Sequence, residues 1–154
     1  MGLFGKKQAT PKLSPQGWLL PPSNWEAAVL GGNYRVEVVG ATSYKRERTA
    51  LRKEYGVGGH PSSEDVGLAF LFPQPSNQLG PDTVAVVVGQ SQVGLVDPKD
   101  CPWVQVIITE LATRGKYPLC KIRMFIRSKE WAEDNPDSGV IGLTIFIQDP
   151  PQDN

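Results

Sequence analysis

Sixteen glycines and fourteen prolines interrupt this chain of 154 residues, nearly a fifth of its length, against about 12% in ordinary usage. Both residues stop regular structure, glycine because its backbone turns freely and proline because it lacks an amide hydrogen. A sequence cut this often has little room for long helices and reads as short strands joined by tight turns. Its apolar runs are short too. Val84 to Val88 is among the longest, far below the ~20 residues of a membrane-crossing helix. A chain of this length supports one hydrophobic core, so one domain is expected.

Within that punctuation the period of the apolar residues changes from segment to segment. Tyr34 to Gly40 alternates, with Val36 and Val38 on one face and Arg35 and Glu37 on the other, as a strand does. Over residues 45–55, Leu51 and Tyr55 join Tyr44 on one helical stripe. Lys45, Arg46, Arg48, Arg52 and Lys53 fall on the other surface and Gly56 stops the segment, which predicts a short basic helix. After a glycine-rich loop over 56–64, strands are expected over Asp65 to Pro73, Thr83 to Val88 and Val93 to Val96, the last two joined as a hairpin. Trp103, Ile107 and Leu111, with Val104 and Ile108 beside them, make a helical stripe that reads as core. Strands over Leu119 to Arg127 and Val140 to Gln148 complete the order β α β β β α β β. Residues 1–33 hold Lys6, Lys7, Lys12, Pro11, Pro15, Pro21 and Pro22 and read as an extended arm, with Trp18 and Trp25 docking on the domain. Residues 34–148 form that domain, and 149–154 an acidic tail.

The formal net charge is zero, from 16 basic and 16 acidic side chains, yet the two signs are segregated. All 16 bases and 10 of the acids lie in residues 1–129, whereas residues 130–154 hold six acids and no base. Such a split points to an anionic partner for the basic part, or to an acidic segment that competes with that partner. The penultimate strand shows where the cations collect. Cys120, Ile122, Met124 and Ile126 point one way and Lys121, Arg123, Phe125 and Arg127 the other. Three cations around a ring combine phosphate neutralisation with a stacking surface, the pairing that holds single-stranded nucleic acid. A plain solvated strand face is the alternative. Residues 128–139 connect this strand to the next, so the acids Glu130, Glu133, Asp134 and Asp137 are expected to screen the basic face.

Chemistry-bearing residues are otherwise sparse. His60 is the single histidine, and it shares a flexible loop with Ser62, Ser63, Glu64 and Asp65, whereas a catalytic triad needs groups converging from rigid supports. Cys101 and Cys120 lack metal or redox spacing and read as buried, reduced thiols. The acids of 130–137 lack the ligand pattern of a calcium loop. Gly56 to Gly59 follows a helix rather than preceding one, the wrong order for a phosphate loop. The expectation is a non-enzymatic protein with no metal, cofactor or small-molecule substrate. The first residues, Met1 to Lys7, show no apolar stretch of a secretion signal, which places the expected location in the cytoplasm.

A resemblance sharpens this reading. Val38-Val39-Gly40 is followed by Tyr44, then by the helix with Leu51, a strand leading to a turn with Pro75 and Asn77, the run Asn77 to Val86, and Val93-Gly94-Leu95-Val96. In this order and spacing, residues 34 to about 148 resemble the HIRAN domain, a small module attached to some DNA-repair helicases and also found as a separate bacterial protein. The resemblance implies a mainly β, α+β fold: an OB-like six-stranded barrel with two helices, binding the free 3′ end of single-stranded DNA. Leu79 and Gly80 stand where the family carries a stacking Tyr and a hydroxyl-accepting Asp. Thr42 and Ser43 replace Arg and Tyr, and Leu95 replaces a polar or aromatic residue. The expected mode is therefore contact with the DNA backbone through Tyr44, Arg46, Arg48, Arg52, Lys53, Lys121, Arg123, Phe125 and Arg127. The alternative is a protein-interaction module that keeps the barrel without DNA-end recognition.

Overall fold

In the computed structural model, which describes residues 12–136 and 139–151, the alternating segment near the end of the chain becomes the strand on which the others assemble. Nine strands and three helices occupy the described residues. The first three strands are β1 (Lys12–Leu13), β2 (Leu19–Leu20) and β3 (Glu26–Val29), followed by β4 (Tyr34–Val39) and α1 (Lys45–Glu54). Next come β5 (Ser62–Pro73), β6 (Val84–Val88), β7 (Ser91–Val96) and α2 (Cys101–Ala112). The series closes with β8 (Lys116–Ile126), α3 (Lys129–Asp134) and β9 (Ile141–Ile147).

Strands β8, β5, β6, β7, β4 and β9 pair in that order, all antiparallel, and β9 returns to β8. The result is a closed six-stranded barrel, mainly β and OB-like in kind, as expected. Closure leaves none of its six strands with a bare edge along its whole length. One edge of β8 meets β5. Its other edge is shared, with β9 along Lys121 to Ile126 and β3, running parallel, along Lys116 to Leu119. The long strand β5 shifts register between Asp65 and Leu68, and Gly67 sits there at φ +92°. A bulge of this kind bends a strand far enough to close a small barrel. At this φ any other residue is strained, and the Tyr55 hydroxyl, 2.6 Å from where a β-carbon on Gly67 would stand, would also have to move.

The inward faces follow the alternation. Val36, Val38, Val66, Leu71, Ile122, Met124, Leu143, Ile145 and Ile147 are buried in one cluster, with Cys101, Val104, Ile107 and Ile108 of α2 packed on it. The face α2 buries is turned toward Val104 and Ile108, while Trp103 and Leu111 of the expected stripe are only partly buried at its margin. The polar end of the Trp103 ring accounts for its position: Nε1 donates to Asp100 Oδ1 at 2.9 Å.

Two segments carry more structure than the sequence suggests. The described part of the arm forms the β1–β2 hairpin and then β3, which joins the sheet alongside β8, and Trp18 is buried beneath the hairpin, its ring stacked on Phe72 at 6.3 Å. Trp18 thus docks as expected, and Trp25 is half-buried. Lys6 and Lys7 lie outside the described residues. The connection from Ser128 to Gly139, read as an acidic loop, contains α3, a third helix. Ser128 caps it, its hydroxyl accepting from the Trp131 amide at 3.1 Å, and Glu130 lies in the first turn, where the helix dipole favours an acid. Among the described residues no helix is long and apolar enough to cross a membrane.

Candidate nucleic-acid interface

Strand pairing sets which outward side chains become neighbours, because residues in register on adjacent strands share a face. Lys121 of β8 is opposite Phe146 of β9, which is opposite Arg35 of β4. One step along, Asp65, Arg123, Thr144 and Glu37 make a row across β5, β8, β9 and β4. A further step brings Ser63, Phe125 and Gly142 into line. The outer face of four strands thus gathers Arg35, Lys121, Arg123 and Arg127 against Glu37 and Asp65, with the rings of Phe125 and Phe146 between them. A cavity of about 510 Å³ opens in it, lined in part by Arg35, Glu37, Ser63, Phe125, Arg127 and Thr144.

Two of the four cations on this face, Arg123 and Arg127, are held in place. Arg123 Nη2 lies 3.0 Å from Asp65 Oδ1, and its Nη1 donates to Ser63 Oγ at 2.8 Å. Arg127 Nη2 is 3.7 Å from Glu37 Oε2, and Glu37 Oε1 also accepts from the Thr144 hydroxyl at 3.4 Å. The Arg35 guanidinium stands 5.9 Å from the centre of the Phe146 ring. Arg127 is the most confined. Its guanidinium carbon lies 4.4 Å from the centre of the Trp131 ring on α3, and Nη1 is buried with no hydrogen-bond partner among the described residues. Lys121 is exposed and makes no salt bridge among the described residues.

Asp65 and Glu37, acids of neighbouring strands, pair directly with Arg123 and Arg127. Among the described residues of that connection, none of the acids forms an ion pair with the face, and the side chain presented to Arg127 is the ring of Trp131. Asp137 lies outside the described residues.

The basic helix is divided. Arg48, expected on its solvent surface, is instead 1% exposed and fully committed. Nε donates to Val93 O at 2.8 Å, Nη1 to Ile141 O at 2.9 Å, and Nη2 to the carbonyls of Val38 and Val39 at 3.0 Å each. At the end of the barrel these carbonyls need donors, and a planar guanidinium fork reaches several at once. Burial pulls its pKa down to about 10, partly offset by Glu37, with Arg127 adding to the fall. Arg48 is thus structural and unavailable to a ligand. Arg52 donates to Val57 O and Gly58 O, bracing the following loop. Arg46 and Lys53 are exposed and do not line the cavity beside Arg127.

Tyr44 belongs to a second cavity of about 900 Å³, which brings together residues the resemblance singled out, among them Gly40, Tyr44, Asn77, Leu79 and Leu95. Among the described residues its lining carries no charged side chain. Gln74 and Gln92 exchange amide hydrogen bonds at 3.1 Å in its wall, and Asn77 donates to Gln74. Burial, then Glu47, pushes the Tyr44 phenol up, while a hydrogen bond from Gln92 works the other way.

Comparison with protein-family models, with curated proteins and with solved structures finds no match.

Arg35, Phe146 and Trp131 are functional candidates missed from the sequence. Arg35 and Glu37 are legible there as the outward face of a strand, but that this strand lies beside β9, and β9 beside β8, is a non-local fact. His60 also differs from a free loop residue: its Nδ1 is 3.1 Å from the Ile126 carbonyl, which ties the loop to the end of β8.

Proposed function

We propose that this protein is a non-catalytic, HIRAN-like nucleic-acid-binding module that contacts single-stranded DNA through its phosphate backbone and aromatic side chains. The observation that carries this reading is the outer face of β5, β8, β9 and β4, where Arg35, Lys121, Arg123 and Arg127 surround Phe125 and Phe146 beside one cavity. Phosphates need fixed positive charge, and bases need ring faces. OB-like barrels present oligonucleotides with a surface of this kind. Tyr44 and the exposed Arg46 and Lys53 then serve, at most, a path that leaves this face. Fluorescence anisotropy of labelled oligothymidylate, free or blocked at its 3′ end and titrated at two salt concentrations, tests the reading. Binding that weakens with salt and ignores the block is expected; no binding at low salt refutes it.

A second reading, docking of a protein partner, is favoured by a different feature. Between the β1–β2 hairpin and the barrel runs a cleft of about 670 Å³ whose lining includes Trp18, Trp25, Phe70, Phe72 and Tyr117. Rings dominate there, and such grooves accept extended peptides. Crosslinking of the full chain to partners, compared with a Trp25→Ala variant, separates this from the first reading.

A further inference from the structure

Resting on the nucleic-acid reading above, we infer that Trp131 is the base-stacking residue of the interface, held from behind by Arg127. A stacking platform needs a ring that is reachable by solvent, fixed in orientation and next to phosphate-binding charge. Phe125 meets the last requirement but is partly buried, less exposed than Trp131 and set among Ser63, Gly142 and the flanking strands. Trp131 meets all three.

Trp131 is 39% exposed, and α3 contains no buried residue, so the tryptophan is not there to fill the core. Its backbone is fastened at both groups: its amide donates to Ser128 Oγ at 3.1 Å, and its carbonyl accepts from Asn135 Nδ2 at 2.9 Å. The ring rests on the Arg127 guanidinium at 4.4 Å. That guanidinium is itself immobilised, since it fills the space above Gly142 and pairs with Glu37. A cation on one side of an indole orients it and leaves the other side for a base. Arg127 also lines the cavity with Arg35 and Phe125, so the platform and the phosphate-binding groove share one side chain. A strand whose phosphates run past Arg35, Lys121 and Arg123 has a ring within reach for one of its bases.

The test compares two labelled probes of equal length, oligothymidylate and an abasic strand, on the full chain and on Trp131→Ala and Trp131→Phe. Stacking predicts that Trp131→Ala weakens oligothymidylate by roughly five- to a hundredfold, the worth of one stacked base. It also predicts that the abasic strand binds all three proteins alike and that Trp131→Phe recovers most of the loss. Equal loss on both probes overturns the inference, because it makes Trp131 a positioning residue for Arg127. No loss on either overturns it as well. If the unaltered chain binds neither probe, the nucleic-acid reading fails, and the stacking role fails with it.

Discussion

The Arg127 guanidinium occupies the space that a side chain on Gly142 would fill: a β-carbon built there lies 2.6 Å from Cζ. Gly142 has no left-handed backbone angle, so what glycine provides at this position is room for the guanidinium. Gly142→Ala is therefore expected to expel the guanidinium, costing about 1–3 kcal/mol as overpacking does. It should weaken single-stranded DNA binding as well. Urea denaturation and anisotropy on the same variant read both effects.

Arg48 supports the end of the barrel through four carbonyls. Arg48→Ala strands these acceptors in a buried site and opens a cavity, with an expected loss of about 3–5 kcal/mol. Arg48→Lys should recover little, because an ammonium cannot reproduce the planar fork. Chemical denaturation of the three proteins checks the ranking.

On the proposed nucleic-acid reading, Asp65 competes with the ligand for Arg123. Asp65→Asn is expected to strengthen binding of oligothymidylate at low salt by roughly severalfold, with stability changed by under about 1 kcal/mol, since the pair is largely exposed. Arg123→Ala should weaken binding and lower the slope of affinity against salt by about 1. Titrations across a salt series separate the two.

Burial pushes the Cys120 thiol up to about 12 from an ordinary value near 9. In the unfolded chain the thiol loses its proton near 9, while in the folded chain it keeps it to about 12, so the folded state binds more protons between these limits. Stability is then intact below about pH 9 and falls above it, by about 1.4 kcal/mol per pH unit from this group. The denaturation midpoint of Cys120→Ala should decline less steeply over that range than that of the unaltered protein. Cys101 is also buried, so a thiol reagent should label neither cysteine until the protein unfolds.

What was legible in the sequence was local. The two-residue period of Lys121 to Arg127 separates buried Ile122 and Met124 from outward Arg123 and Phe125, because a strand alternates whatever its neighbours are. The helix of α1 was legible for the same kind of reason. Arg48 stands with Tyr44, Leu51 and Tyr55 at the i, i+4, i+7, i+11 spacing of one helix face, so the stripe pointed it inward although its charge argued for the surface. The carbonyls of β4, β7 and β9 that satisfy it there are non-local and could not be read. The helix α3 was hidden by its length, too short to display a period, although Ser128 before Glu130 and Trp131 is a start signal. Rows such as Asp65, Arg123, Thr144 and Glu37 depend on register between distant segments, which no local pattern carries.

The buried Arg48 bears on how the chain folds. One of its acceptors, Ile141, lies 93 positions farther along the chain, and the other three belong to β4 and β7. Until β9 arrives, a docked α1 would hold a dehydrated charge with an unfilled valence, which is less favourable than leaving the helix in water. Seating of α1 and arrival of the last strand are therefore coupled through one side chain. During synthesis, Arg48 gains its last acceptor only when β9 has been made.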